Sequence, residues 1–385
     1  MVVTHRLTSA SVLDPEEDLT QPMQETAASA TPEQNVSFLK RLWSKISGLS
    51  KQTQLKLKIG FSLIVFASLF VFGKIDLSKT WEVASKANVG YLSAAAALFV
   101  GSTFINAMRW QVLARAVGLP KPLLPLVQYC FVGCFFNLFL PSTVGGDVSR
   151  CYYLSKGTGK YKAAFYSVLA DRVVGISVLF LLATTGLLFG PGAGSLSVAV
   201  KVPIILGTIG IFIGIPLLPT LSTLFLGKDH WITHRFKNSA FRVYWRDGRL
   251  ILFSLGQSIG LQLVLVAVHV LVGLSLGMNQ VPLWYYCIFY PLVAVLGFVT
   301  PSFNGIGVRE GAYTYFLLNP VAGGVERPTA FAFAMILLGL NTFLSLVGGL
   351  VYLAGHFKFS EKDAEELQHE VIDESEEETG DDETP

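Results

Sequence analysis

The chain has 385 residues, of which 52% are hydrophobic and 15% charged, whereas about 25% of the residues in a typical soluble domain are charged. Several long runs contain no Lys, Arg, Asp or Glu, and about 20 apolar residues in a helix cross the ~30 Å hydrocarbon core of a membrane. The composition excludes an ordinary soluble protein and predicts an all-α integral membrane protein, a polytopic helical bundle.

The two ends of the chain lack long apolar runs. Residues 1–36 are polar, and the C-terminal segment 356–385 includes Ser360–Pro385, with 13 acidic residues and one lysine. Such compositions cannot bury enough apolar surface to offset the entropy of ordering, so we expect both segments to be disordered. Residues 37–54 place apolar residues at helical spacing among basic ones. This pattern predicts an amphipathic basic helix on the membrane surface, with a charged lead-in to the first span as the alternative.

The predicted transmembrane domain extends from residue 55 to residue 355. Its six predicted full spans are Ile59–Gly73, Val89–Ala107, Ala164–Phe189, Leu196–Leu226, Ile251–Leu276 and Pro328–Gly355. Three prolines in the fourth span predict a kink or a break. Two further apolar segments, Leu123–Leu140 and Val281–Val299, each run into a stretch that contains glycine.

These two stretches, Pro141–Arg150 and Pro301–Glu310, resemble each other. Pro, Ser, Gly and Val recur in them at a constant offset of 160 positions, and each carries a pair of opposite charges. An apolar run precedes both stretches. We interpret them as a duplicated functional element.

Charge asymmetry predicts the topology, because cytoplasmic loops carry an excess of Lys and Arg. Six basic and no acidic residues lie between Lys40 and Lys58, which places the N-terminus in the cytoplasm. If Leu123–Leu140 crossed the membrane, the basic loop after Arg150 would face outward, so we expect this segment to turn back as a re-entrant hairpin. Val281–Leu318 is then a second hairpin, entered from outside, and both termini are cytoplasmic. Eight plain crossings are the alternative.

This topology divides the domain into two halves, 55–190 and 196–355. Each half reads span, span, re-entrant hairpin, span, and the halves have opposite orientations, as in the inverted-topology repeats of many secondary transporters. Non-helical backbone at membrane depth is tolerated where it is buried in protein or lines a wet cavity. We therefore expect the glycine stretches to meet at a cavity between the halves.

The candidate site lies in and near these stretches, because ionisable residues within membrane segments are costly and usually functional. The candidate substrate-binding residues are Gly145, Gly146, Asp147, Arg150, Asp171, Arg172, Gly305, Gly307, Arg309 and Glu310. Helix N-termini and Arg side chains both bind anions. We expect Arg150 and Arg309 to bind a phosphate, while Asp147 and Glu310 hold them when the site is empty.

Simpler structural roles are the alternative. Asp147 suits a helix N-cap, with Arg150 anchoring lipid headgroups. Asp171 and Arg172 fit an ion pair at the cytoplasmic edge of a span. His269 lies on an otherwise apolar helix and fits a hydrogen-bonded packing residue better than a proton carrier.

Motifs of enzymes are missing from the sequence. It contains no GxSxG, no HExxH and no P-loop lysine motif, and its polar segments are shorter than the ~50 residues that a catalytic domain needs. The four cysteines form no CxxC pair and fit packing residues. We expect no enzymatic activity, no metal or other cofactor and no nucleic-acid partner.

The segment Leu140–Arg150, followed by Ala170-Asp171-Arg172 and later by Pro301–Glu310, resembles the lysylphosphatidylglycerol synthetase transmembrane family, whose members are also described as flippase-like. The resemblance covers about residues 55–355. In the founder of this family, the region is linked to flipping an aminoacylated phospholipid that a separate cytoplasmic domain makes. The resemblance does not extend to that synthetase domain, so it implies no aminoacyl transfer. Other relatives handle polyprenol-linked lipids, hopanoids or glycolipids, which leaves the lipid open.

We therefore expect a flippase-like protein of the plasma (inner) membrane that moves an anionic or modified lipid between leaflets. Its partner is a membrane lipid: a phospholipid, a polyprenol-linked lipid or a glycolipid. The alternative is a non-transporting anchor or accessory subunit for a lipid-modifying enzyme or glycosyltransferase, with the basic loop 227–249 or the acidic tail binding a cytoplasmic partner. A small-solute transporter is a third reading, which the resemblance does not favour.

Overall fold

The computed structural model describes residues 76–139, 145–214, 243–244, 247–300 and 305–355, together with Leu217, Thr220 and Phe357. The helices in these ranges are α1 (Leu77–Ser85), α2 (Val89–Ala116), α3 (Leu123–Phe139), α4 (Gly145–Ser155), α5 (Tyr161–Phe189), α6 (Val198–Ile209), α7 (Gly248–Ser275), α8 (Leu283–Val299), α9 (Val308–Leu317) and α10 (Arg327–Ala354). The described part of the chain contains no strand. The expectation of an all-helical polytopic membrane protein is confirmed.

Four of the described helices are long and apolar enough to cross a membrane: α2, α5, α7 and α10, with 28 or 29 residues each. Large apolar side chains such as Leu252, Leu350 and Leu353 project outward from them, as expected where a helix faces lipid. The predicted end of the second span, at Ala107, is wrong. Helix α2 continues to Ala116, because the arginine that interrupts the apolar run is buried and ion-paired.

Helix α6 continues through Pro203, one of the three prolines that predicted a kink or a break, and the other two lie outside the described residues. Pro203 lies inside it, and the helix widens into a π-helical turn at Gly210–Gly214. A π-helical turn is a common site of bending in an apolar helix. Together the two segments form an apolar stretch, Val198–Gly214, shorter than the four long helices.

Helices α3 and α4 form the first hairpin. The predicted bounds Leu123–Leu140 are wrong, because α3 is one continuous helix over Leu123–Phe139 and the chain returns in α4. Gly146 near the start of α4 donates its N–H to the side chain of Asn137 near the end of α3 at 2.8 Å. A Cβ on Gly146 would overlap the carbonyl of Gly133, so the returning helix lies directly on the one before it. Ten of the eleven residues of α4 are buried, and at ~1.5 Å per residue this helix is too short to cross a membrane.

Helices α8 and α9 form the second hairpin in the same way. The side chain of Arg309 at the start of α9 lies against Gly297 near the end of α8. The turn before α9 needs glycine, because Gly305 and Gly307 have φ angles of 76° and 86°. The carboxylate of Glu310 accepts the N–H of Gly307 at 2.5 Å and so caps the helix.

The order and length of these helices repeat. Helices α2 to α5 contain 28, 17, 11 and 29 residues, and α7 to α10 contain 28, 17, 10 and 28. Packing follows the same symmetry: α2 packs on its equivalent α7, α3 packs on α10, and α8 packs on α5. Because α3 corresponds to α8 and α5 corresponds to α10, the contact of α3 with α10 has its equivalent in the contact of α8 with α5. Such paired contacts indicate a two-fold relation between the halves.

The equivalent helices α2 and α7 run antiparallel. At one end, the N–H of Asn88 before α2 donates to the carbonyl of Ser275 at the end of α7 at 2.8 Å. At the other end, the hydroxyl of Tyr244 before α7 donates to the carbonyl of Leu113 near the end of α2 at 2.9 Å. Antiparallel equivalent spans are the defining feature of an inverted-topology repeat.

Each hairpin lies in a buried apolar core. One cluster is built on α3 and α4, together with parts of α2, α5 and α10. The other is built on α8 and α9, together with parts of α5, α6, α7 and α10. The broken helices are thus enclosed by protein, which is the condition for interrupting a helix at membrane depth.

Several expectations concern residues outside the described ranges. They are the N-terminal segment 1–36, the amphipathic helix 37–54, the first span Ile59–Gly73, most of the basic loop 227–249, and the acidic tail beyond Phe357. The beginnings of the two glycine stretches, 141–144 and 301–304, also lie outside these ranges.

Candidate functional site

A buried cluster of three arginines and two aspartates joins α2, α4 and α5. Asp171 accepts from Arg109 Nε at 2.8 Å and from Arg150 Nη2 at 3.1 Å. Asp147 accepts from Arg172 through two nitrogens, at 2.6 and 2.8 Å, and lies 3.5 Å from Arg150 Nη1. The aspartates therefore alternate with the arginines in one continuous network, which we call the arginine cluster.

Two expectations about these residues change in the structure. Asp147 is not an N-cap, because α4 begins at Gly145 and places Asp147 in its first turn. Asp171 and Arg172 are not an edge pair, because α5 begins at Tyr161. That helix carries Asp171 about 15 Å past its start at ~1.5 Å per residue, where its side chain is 1% exposed.

Arg150 is the central cation of the cluster. Its side chain is 5% exposed, its stem lies against Gly133, and its guanidinium stacks 4.1 Å above the ring of Trp110. The sequence predicted that Asp147 holds Arg150, but the closer partner is Asp171. Arg150 Nε has no hydrogen-bond partner within the described residues.

The arginine cluster carries one more positive charge than negative, which favours an anionic ligand. A charged side chain near the bilayer centre costs roughly 2.5–3.5 kcal/mol on insertion scales unless it is paired, and two aspartates cannot neutralise three arginines. The cluster is also accessible at one edge, because the Arg172 side chain is 36% exposed. A phosphate could therefore reach the arginines and replace a carboxylate there.

The second glycine stretch has different surroundings. Gly305 and Gly307 form the turn, Glu310 is buried as the cap of α9, and Arg309 is half-buried against Gly297 and Gly305. A small cleft beside it is lined by Arg309, Glu310, Tyr313, Ala334, Leu337 and Leu338. Glu310, which the sequence predicted to pair with Arg309, accepts the N–H of Gly307 in the turn instead.

The end of α8 lies near both Arg172 of the arginine cluster and Arg309 of the second hairpin. The guanidinium of Arg172 lies 5.9 Å from the centre of the Phe298 ring, and the neighbouring Gly297 contacts the stem of Arg309. Both half-buried arginines of the candidate set therefore lie near the same end of α8. The arginine cluster and the second hairpin therefore approach each other through the side chains of Arg172 and Phe298.

His269 of α7 is a hydrogen-bonded packing residue, as its position predicted. Its Nδ1 lies 2.7 Å from the carbonyl of Leu265 and its Nε2 lies 2.8 Å from the hydroxyl of Tyr313. Since a carbonyl only accepts, Nδ1 carries the proton and Tyr313 donates to Nε2. The ring of Tyr290 packs against the imidazole at an angle of 46°, with ring centres 4.4 Å apart.

Sequence reasoning missed Arg109, which links the cluster to the other half of the repeat. Besides its bond to Asp171, this arginine donates to Ser258 of α7 at 2.8 Å and to Asn106 at 3.0 Å. The available signal was an arginine one residue before Trp110, in a helix that continues for seven residues after it. Among the described residues, no group of three His, Cys, Asp or Glu side chains could hold a metal.

Comparison with known proteins assigns the chain to a family. The model of the family described as lysylphosphatidylglycerol synthase TM region matches residues 55–349, which is well over half of the chain. The chain belongs to this family. The match covers every helix of both repeats except the last residues of α10, so the hairpins and the arginine cluster lie in the synthase TM region.

One curated relative in the comparison is a protein named glycosyltransferase AglD, from Haloferax volcanii. It is 25% identical to this chain over 357 residues, which cover 82% of this chain and 57% of the relative. The chain therefore spans little more than half the length of that protein. No solved structure matches the chain. Both comparisons associate this synthase TM-region protein with lipid-related or glycolipid-related processes in membranes.

Proposed function

We propose that this protein is a lipid translocase, which moves an anionic or modified lipid between membrane leaflets through the space between its two hairpins. The observation that supports this most is the arginine cluster. It is buried at membrane depth, has an excess positive charge and opens at Arg172. A lipid phosphate is the abundant anion of a membrane that matches these features.

Asp147 marks the position that the phosphate would take. Its carboxylate lies between Arg172, at 2.6 Å, and Arg150, at 3.5 Å. A phosphate that entered past Arg172 would bind both guanidiniums and displace Asp147. Return of Asp147 to the arginines would then help to release the lipid.

The second hairpin completes the proposed route. Arg309 lies half-buried beside a cleft and near the end of α8 that Arg172 also contacts. Inverted repeats alternate access by moving one half against the other around a fixed central site. Arg309 would bind the same phosphate when the site opens towards the other leaflet.

The test is movement of labelled phosphatidylglycerol in proteoliposomes, measured as the fraction of label that a membrane-impermeant quencher cannot reach. Arg150→Ala removes charged hydrogen bonds worth roughly 1.5–3 kcal/mol each, so we expect movement to slow by about tenfold to a hundredfold. Arg150→Lys keeps the charge but loses the forked geometry, so it should also be impaired. Arg115→Ala is the matched control, since Arg115 is an exposed arginine in the last turn of α2.

Equal rates for the parent and Arg150→Ala would refute the site. A parent protein that moves none of a broad panel of anionic lipids would favour the second candidate, a membrane anchor or accessory subunit for a glycosyltransferase. The name of the relative AglD supports that candidate, and retention of a purified glycosyltransferase on the immobilised protein would test it.

A further inference from the structure

Helix α7 carries a buried polar face, and the arginine cluster accounts only for Ser258 within it. Ser254, Ser258 and Gln262 recur at intervals of four residues and are buried, so they lie on one face of the helix. Gln257 lies beside Ser254 on the neighbouring ridge. The face continues towards His269, so the polar positions extend over about 22 Å at ~1.5 Å per residue.

Two atoms of this face lack a hydrogen-bond partner within the described chain: Ser254 Oγ and Gln257 Oε1. Ser254 is 0% exposed, and serines in membrane helices commonly bond to a carbonyl of their own helix. Ser275 does so, bonding to Val272 at 2.7 Å, but Ser254 does not. Unpaired buried polar atoms are costly in a membrane protein, so a ligand that pairs with them would gain affinity.

The fold does not require polar residues at these positions. In the equivalent helix α2, the matching positions counted from the helix start are Ala95, Leu98 and Phe99. Ser254, Gln257 and Ser258 thus have no polar counterpart in α2, whereas Gln262 matches the buried Thr103. This asymmetry indicates a role in binding rather than in packing.

The polar face is continuous with the arginine cluster. Ser258, one turn from Ser254, accepts from Arg109 at 2.8 Å, and Arg109 shares Asp171 with Arg150. A lipid whose phosphate is bound by the arginines would therefore place its headgroup along α7. This argument rests on the proposed function of the arginine cluster.

We propose that the face of α7 formed by Ser254, Gln257 and Ser258 is a headgroup subsite for an uncharged, hydroxylated headgroup, such as glycerol, inositol or a sugar. Hydroxyl groups both donate and accept, as the serine hydroxyls and the glutamine carbonyl require. An ammonium headgroup is disfavoured because the cluster already has excess positive charge. Two acidic groups of the site stay engaged when a phosphate displaces Asp147: Asp171 by Arg109 and Arg150, and Glu310 by the backbone.

The test compares three lipids that share a phosphate: phosphatidylinositol, with ring hydroxyls; phosphatidylmethanol, with a methyl group; and phosphatidylethanolamine, with an ammonium group. Binding to the purified full chain is measured by competition against a labelled anionic lipid in micelles. We expect phosphatidylinositol to bind roughly tenfold tighter than phosphatidylmethanol, because two or three hydrogen bonds are added. Phosphatidylethanolamine should bind more weakly than phosphatidylmethanol.

The double variant Ser254→Ala/Gln257→Leu should lose the preference for phosphatidylinositol and keep the affinity for phosphatidylmethanol. Its thermal stability should equal or exceed that of the parent, because two unpaired buried polar groups are removed. Ser275→Ala is the matched control and should keep the preference. A double variant that keeps the preference, or whose preference is lost together with several degrees of melting temperature, would overturn the subsite.

The same measurements separate this proposal from the proposed function. If Arg150→Ala binds phosphatidylmethanol as the parent does, the phosphate site itself is wrong. If Arg150→Ala loses phosphatidylmethanol but the parent binds all three lipids equally, the phosphate site stands and the headgroup subsite is refuted.

Discussion

Removing the carboxylate of Asp171 is the perturbation for which the structure predicts the largest loss of stability. This aspartate is 1% exposed and accepts from Arg109 at 2.8 Å and from Arg150 at 3.1 Å. Asp171→Asn keeps the size of the side chain but raises the net charge of the arginine cluster from +1 to +2. Loss of one partner of a buried ion pair costs about 3–5 kcal/mol, because the remaining charge is left uncompensated.

The free energy of unfolding in mixed micelles measures this effect. We expect Asp171→Asn to lose about 3–5 kcal/mol, and Asp147→Asn to lose less, because its main partner Arg172 is 36% exposed. Adding Arg109→Met to Asp171→Asn should recover part of the loss, because the net charge of the cluster returns from +2 to +1. Glu82→Gln, in an exposed pair with Lys86, should leave the free energy unchanged. Asp171→Asn with the stability of the parent would refute the account of the cluster.

Three further predictions concern topology, packing and the tail. Single cysteines at Lys160 and Arg235, in a background without the native four, should both react only from the cytoplasmic side, and labelling at 160 from outside would support eight crossings. Gly348→Ala should cost about 1–3 kcal/mol of unfolding free energy by overpacking α10 against α3, whereas Gly339→Ala, with open space around it, should cost nothing. Removal of residues 360–385 should leave membrane insertion intact, and a truncated protein that no longer accumulates would contradict their predicted disorder.

The helices and hairpins were predictable because local patterns determine them. Apolar runs predicted the four long helices, with errors where a charged residue interrupts a run, as at the end of α2. The prolines and glycines of the two stretches predicted the reversals between α3 and α4 and between α8 and α9. The repeat was recognised from the offset of 160 positions, which also relates the first and last residues of α3 to those of α8.

The partners within the site were not predictable, because contacts between distant helices determine them. Arg109 and Asp171 are 62 positions apart, and Arg109 and Ser258 are 149 apart. A prediction from apolar runs ends a span at its first arginine, because the sequence does not show whether that arginine is paired with another helix or faces water. The cap of α4 could not be predicted for the same reason. The sequence suggested Asp147 as the N-cap, but Asn137 of α3 accepts the N–H of Gly146 in the first turn of α4.

The central claim is that the two hairpins bind one lipid phosphate and act as a unit. The most direct test is the rate of phosphatidylglycerol movement in proteoliposomes that contain Arg150→Ala, Arg309→Ala or both. Residues that act as a unit are not additive, so the double variant should be little slower than either single variant, each strongly impaired and each folded. Independent losses that multiply in the double variant, or an Arg309→Ala variant as fast as the parent, would contradict a site shared by the two hairpins.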